Sequence, residues 1–318
     1  MLKIERILCP VDFSECSAKA YDYAYSIALR YRAKLYVEHV IQVLDAAYPY
    51  YNFPDVAGSN IYWDLSKGAE ERLQEIVRRH NVNGLQAEMV VHKGFVPDSI
   101  VSFGQDLPAD LIVMGTHGRR GLDRLVMGSA TESVLRKASC PVLAVRKPAH
   151  DFVDPEKPQE PVHLKKILLC TDFSQYSATA MKYALSLAQE YNAELTLLHV
   201  LEAWPAEGVQ AVMSEGHRKL EELVPKDARD WCNVKTAVRI GKPYEEIIQL
   251  AVEEQADVAV LGVRGHGAAD LAIFGSTTHR VLQMGPCPVL SVHEARSQRE
   301  YRPVRSWNFM TELIDTVV

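Results

Sequence analysis

No stretch of this 318-residue chain is long and apolar enough to cross a bilayer. The N-terminus runs through Glu5 and Arg6 straight into a strand-like segment and lacks the apolar core of a signal peptide. A cytoplasmic protein with no membrane partner is therefore expected. The six cysteines (Cys9, Cys16, Cys140, Cys170, Cys232 and Cys287) show no CxxC spacing, which argues against a redox or zinc motif. Several lie in apolar strand-like settings, as buried free thiols do. An excess of basic residues is also missing. Lys and Arg total 35 against 41 Asp and Glu, a net charge of −6, which excludes a general nucleic-acid surface. Neither GxxxxGK[ST] nor GxGxxG occurs, so a P-loop ATPase and a classical dinucleotide dehydrogenase are disfavoured. His39, His117, His199 and His266 have no metal-ligand spacing, and packing or hydrogen bonding is the reading for them. No Ser/His/Asp or Cys/His set is placed for covalent catalysis, so no catalytic residue and no metal ligand is assigned.

What is present is a glycine pattern that occurs twice. After an apolar run from Asp110 to Met114 come Gly115 and Gly118 and, with nine residues between, Gly128-Ser129. After Asp257 to Leu261 come Gly262 and Gly265, then, at the same interval, Gly275-Ser276. Glycines let a backbone approach a ligand closely, and a helix opening at Ser129 or Ser276 adds unpaired N–H groups and a positive dipole end. Such a place suits phosphate.

The pattern belongs to a larger duplication. Ile7 to Ser14 reads as a buried strand ending in a polar turn, with Ser14 as helix cap. Ala20, Ala24, Ala28 and Tyr31 share a small-residue helix face. Strands follow at Leu35–Val40, Leu85–Val91, Asp110–Met114 and Pro141–Val145. Helices are expected from about Trp63 to His80, over Pro97–Asp106 and over Ser129–Ala138. This alternation predicts an α/β protein with a parallel sheet covered on both faces. Ile167 to Ser174 repeats the first strand at an offset of 160, which falls to 147 by Gly262. The first half thus holds 13 extra residues, placed in the aromatic stretch Tyr48–Tyr62. The duplication predicts a first domain over 1–147, a proline-rich linker over 148–163, a second domain over 164–296 and a helical tail over 297–318.

Each half resembles the universal stress protein family, in its ATP-binding branch, through G-x2-G-x9-G-[ST]. The whole chain resembles a tandem member. The resemblance implies two tandem open-sheet domains of the adenine nucleotide alpha hydrolase-like fold, each a five-stranded parallel sheet in order 3-2-1-4-5 with helices on both faces. The crevice lies where the first and fourth strands are neighbours. It implies ATP as ligand, with or without Mg2+, and a nucleotide-dependent stress-response protein rather than an enzyme, slow hydrolysis being left open. Carried over by position, Val40 and Val200 would read the adenine edge, and Asp12 and Asp172 would stand near the ribose or a phosphate-bridging metal. Gly115, Gly118, Gly128 and Ser129, with Gly262, Gly265, Gly275 and Ser276, would cradle the phosphates. Ala130 and Thr131, with Thr277 and Thr278, would open the receiving helix. Asp12 has a helix cap as its alternative reading, and Arg119, inside the first loop, is readable as a phosphate partner.

The copies differ in that loop: Arg119, Arg120 and Arg124 become His266, Gly267 and Leu271 in the second. Tighter binding at the first site is expected on this ground. The apolar fifth strands need cover, and the resemblance suggests that they pair across a two-fold axis between the halves. A homodimer of tandem chains and an unidentified protein partner are further expectations. The rival readings are an association module that binds no nucleotide and an ATP-cleaving hydrolase, the latter weakened because only Asp12-Phe13-Ser14 follows the first strand.

Overall fold

A computed structural model describes residues 3–42, 60–80, 85, 87–117, 127–146, 163–204, 208–263 and 275–293. The first half runs β1 (Arg6–Pro10), α1 (Glu15–Tyr31), β2 (Lys34–Gln42), α2 (Asn60–His80), β3 (Ala87–Gly94), α3 (Val96–Asp106), β4 (Leu111–Gly115), α4 (Ser129–Lys137) and β5 (Val142–Val145). The second runs β6 (Lys166–Cys170), α5 (Gln175–Tyr191), β7 (Glu194–Leu201), α6 (Val209–Leu223), α7 (Ala228–Trp231), β8 (Val234–Ile240), α8 (Pro243–Glu253), β9 (Val258–Gly262), α9 (Ser276–Met284) and β10 (Val289–Val292). One expectation is corrected: α2 starts at Asn60, inside the aromatic stretch and ahead of the expected start at about Trp63.

The strands form one sheet in the order β3-β2-β1-β4-β5-β10-β9-β6-β7-β8. Each half contributes a parallel 3-2-1-4-5 sheet, and the halves join through an antiparallel pairing of β5 with β10. Val142 stands opposite Ser291, and Leu143 opposite Leu290. An apolar edge strand in each half thereby loses its exposed edge to its own duplicate. The contacts around this seam are reciprocal. Arg146, after β5, donates to the Gln283 carbonyl of α9, and the His293 ring, after β10, bonds the Leu135 carbonyl of α4. Arg30 and Glu190, near the ends of α1 and α5, form an ion pair at 3.2 Å, while Tyr31 and Tyr191 meet edge to face.

Two apolar layers sandwich the sheet. Ile7, Val37 and Val113 pack towards α1, and Leu8, Ile112 and Met114 pack towards α3 and α4. The small face of α1 explains its close seat. Ala20, Ala24 and Ala28 are fully buried, so the helix backbone comes down onto β4 and β5. All six cysteines are free; Cys16 is half-buried and donates its thiol to the Val145 carbonyl, and the other five are buried. Burial pushes the Cys140 and Cys287 thiols up to about 12, which keeps them protonated and unreactive at neutral pH.

Candidate functional site

In each half the strand order reverses between the first and fourth strands, which places a crevice above the carboxyl ends of β1 and β4, and of β6 and β9. The turn after β1 is tightly built. Asp12 Oδ1 accepts from the Ser14 backbone at 3.0 Å and from the Ser14 hydroxyl at 2.6 Å. Ser14 in turn caps α1 by accepting from the Ser17 N–H. Between them Phe13 sits at φ 63°, the left-handed region that a bulky residue enters only at a cost of about 1–2 kcal/mol. The second half repeats this arrangement: Asp172 accepts from the Ser174 backbone, Ser174 caps α5, and Phe173 has φ 62°. Both phenylalanines lie against a histidine ring at 4.4 Å, His39 and His199 respectively. Each Nδ1 bonds a backbone carbonyl, Val11 at 2.8 Å and Thr171 at 2.9 Å. A carbonyl can only accept, so Nδ1 carries the proton, and these histidines have the hydrogen-bonding role expected of them. Val40 and Val200 come one residue after these histidines, within β2 and β7.

On the other bank, α4 and α9 begin at Gly128 and Gly275 without a side-chain cap. Both glycines have φ near −60°, which any residue adopts, so backbone conformation does not require glycine there. Their N–H groups bond the Thr116 and Val263 carbonyls, fixing each helix start to the segment after the central strand. Ser129, Ala130, Ser276 and Thr277 occupy the first turns, where backbone N–H groups have no intrahelical partner.

Four of the expected site residues, two from the glycine cradle and two from the receiving helices, have a structural role. A Cβ on Gly115 would lie 3.0 Å from the Cys16 carbonyl carbon, and one on Gly262 would lie 2.9 Å from that of Tyr176. These glycines admit the first turn of α1 and α5. Thr131 and Thr278, both buried, donate to the Gly115 and Gly262 carbonyls at 2.9 and 3.0 Å and tie helix to strand. Gly118, Arg119, Arg120, Arg124, Gly265, His266, Gly267 and Leu271 lie outside the described residues, as do 48–59, the linker over 148–162 and the tail. Among the described residues no group of His, Cys, Asp and Glu could hold a metal ion, and no helix is long and apolar enough to cross a membrane.

The universal stress protein family model matches residues 3–146 and again 163–293. The chain belongs to the universal stress protein family. A universal stress protein of Methanocaldococcus jannaschii is 33% identical over 145 residues, 45% of this chain and 83% of that protein. One of Mycobacterium bovis is 24% identical over 273 residues, 82% of this chain and 88% of that protein. In fold, a crystal structure of a universal stress protein from Archaeoglobus fulgidus matches 92% of this chain and 99% of its own, with TM-score 0.71 and 24% identity.

Within this universal stress protein the second crevice contains residues that the glycine pattern does not reveal. A hollow of about 410 Å³ is lined by Glu202, Lys242, Pro243, Tyr244, Ser276, Thr277 and Arg280. At the two offsets, Glu202, Lys242 and Arg280 correspond to Gln42, Phe95 and Ser133 in the first half. Two cations and a carboxylate thus replace three uncharged side chains. The signal was in the sequence as a difference between the copies, but outside the loop where charge was compared. The first half has its own exception on β2. Glu38 is fully buried, where the second half has Leu198. Its Oε1 lies 2.7 Å from His92 Nδ1, while Oε2 has no hydrogen-bond partner among the described residues. Burial holds this carboxyl above the ordinary range, against a smaller opposing pull from His92. The His117 imidazole, bonded to the Thr116 hydroxyl at 2.8 Å, is shifted the other way, towards its neutral form, first by burial and then by Arg146.

Proposed function

We propose that each half binds an adenine nucleotide, ATP with or without Mg2+, in the crevice between its first and fourth strands, and that the chain acts as a nucleotide-dependent stress-response protein rather than an enzyme. The observation that carries this reading is the pair of helix starts at Gly128 and Gly275. At an N-cap, Ser, Thr, Asp or Asn stabilises a helix by about 1 kcal/mol over residues that cannot cap it. Both halves instead have glycine, which costs only a few tenths of a kcal/mol at this position but brings no side-chain acceptor for the first-turn N–H groups. A bare cap leaves the first-turn donors to an outside acceptor, and phosphate oxygens suit them. The second hollow also falls within the ~300–1,000 Å³ usual for small-molecule sites. In this reading Asp12 and Asp172 hold the turn that shapes the sugar end of each crevice, Val40 and Val200 offer backbone to the base, and Gly118, Arg119 and Gly265 complete the phosphate loops. Purified full-length protein should release adenine-absorbing material on acid precipitation or, kept native, bind added ATP. No absorbance, together with no calorimetric heat on titration with ATP, would leave the association-module reading.

That rival has one observation in its favour, since β5 and β10 are already an association surface. Because that surface is used within the chain, a homodimer of tandem chains would have to form elsewhere, the outer strands β3 and β8 included. Light scattering behind size exclusion tests whether it forms. A cytoplasmic location and an unidentified protein partner complete the proposal.

A further inference from the structure

We infer that the second crevice takes the phosphates of its ligand between Lys242 and Arg280, which makes it selective for a nucleotide bearing a di- or triphosphate over a monophosphate. The inference rests on the nucleotide reading for the base and sugar, but the anion clamp stands on its own residues. Lys242 is the N-cap residue of α8, and Arg280 lies at the middle of α9. The two exposed side chains line one hollow from different helices. The Arg280 guanidinium lies over the Tyr244 ring at 4.7 Å and has no ion pair with a described carboxylate. Stacking on an aromatic face steers a guanidinium while leaving its N–H edge for a planar or bidentate acceptor such as phosphate.

Lys242 is held at 3.1 Å by Glu245, which also accepts from the Tyr244 hydroxyl at 2.6 Å. Both partners of that ion pair are solvent-exposed, so the pair is weak, and a flexible ammonium can leave it for a multiply charged phosphate. The Ser276 and Thr277 hydroxyls add neutral donors to the same wall. Glu202, at the β7 side, repels phosphate and accepts from hydroxyl groups, so the sugar belongs at that side and the phosphates at the α8–α9 side. One phosphate satisfies one cation at a time; two linked phosphates engage both. None of this chemistry is available at Gln42, Phe95 and Ser133.

The test is calorimetry on the full chain carrying Gly128→Asp, which silences the first crevice, with ATP, AMP and inorganic pyrophosphate as probes at two salt concentrations. Arg280→Gln should weaken ATP by about 10- to 100-fold, leave AMP within about fivefold and flatten the salt dependence. Lys242→Gln should act in the same direction with a smaller loss, and Arg280→Lys should fall between wild type and Arg280→Gln. Both positions are exposed, and far-UV circular dichroism checks that the fold is kept. ATP affinity unchanged by Arg280→Gln and by the double change would overturn the clamp while leaving the nucleotide reading intact. If no nucleotide binds, pyrophosphate decides: binding that is lost with Arg280→Gln upholds the clamp, and no binding sinks it.

Discussion

The two crevices of this chain share a backbone and differ in where their charge lies. Both have the Asp–Phe–Ser turn with a left-handed phenylalanine, the histidine bonded to the strand-end carbonyl, the bare glycine cap and the threonine that ties helix to strand. All of these fix geometry, and none distinguishes one ligand from another. The distinguishing groups sit around that frame. In the first half the sequence concentrates arginines between β4 and α4, whereas in the second the cations stand on α8 and α9. Duplication thus preserved the backbone frame of each crevice and left its electrostatics free to diverge. The ranking expected from the loop alone, first site tighter, omitted Lys242 and Arg280. They set two cations of the second half against the three arginines of the first, at a different place around the crevice.

The comparison can be broken most sharply at the caps. Gly128→Asp and Gly275→Asp place a carboxylate at positions whose φ accepts it, where Asp also caps the helix. Each should preserve folding yet weaken ATP at its own site by about 30-fold or more, ~2 kcal/mol from an anion occupying the donors and the dipole end. Calorimetric stoichiometry should fall by one site for each substitution. Next come the close approaches. Gly262→Ala and Gly115→Ala force a methyl group against the first turn of α5 or α1 and should cost about 1–3 kcal/mol in urea unfolding, more at Gly262, where all three nearest atoms lie within 3.0 Å. Third, Phe95→Lys with Ser133→Arg copies the second site's cations into the first and should tighten ATP there by roughly tenfold if the clamp is transferable.

The smallest effect is expected at Glu38. Its carboxyl is raised in the folded protein, so the native state binds the proton more readily than the unfolded chain. Its contribution to stability is full below the unfolded value of about 4.5 and is lost as pH rises through the folded one. Glu38→Gln should therefore raise the melting temperature at pH 8, by the equivalent of roughly 1 kcal/mol, and make little difference at pH 4. A lower melting temperature for Glu38→Gln at pH 8 would mean that the ionised Glu38–His92 pair stabilises the fold.

Much of this was legible in the sequence. The duplication, the alternation of strand and helix, and the need of Pro141–Val145 and Pro288–Val292 for cover follow from patterns of period and offset, and the β5–β10 pairing meets that need. What could not be read was direction. The spacing of Gly115 and Thr131 matches a ligand loop, but only packing shows that the missing Cβ of Gly115 faces α1 and that the Thr131 hydroxyl points back to the strand. Lys242 and Arg280 lie 38 residues apart in the chain and share a wall only because α8 packs on α9. The early start of α2 was masked because the aromatics and prolines before it break periodicity.

The central claim is that each half holds one nucleotide at its bare helix start. Equilibrium dialysis of the full chain against labelled ATP tests it most directly. The account predicts two ATP per chain, one in each single cap variant and none with Gly128→Asp and Gly275→Asp together. ATP retained by that double variant, or none bound by the unaltered chain, would contradict it.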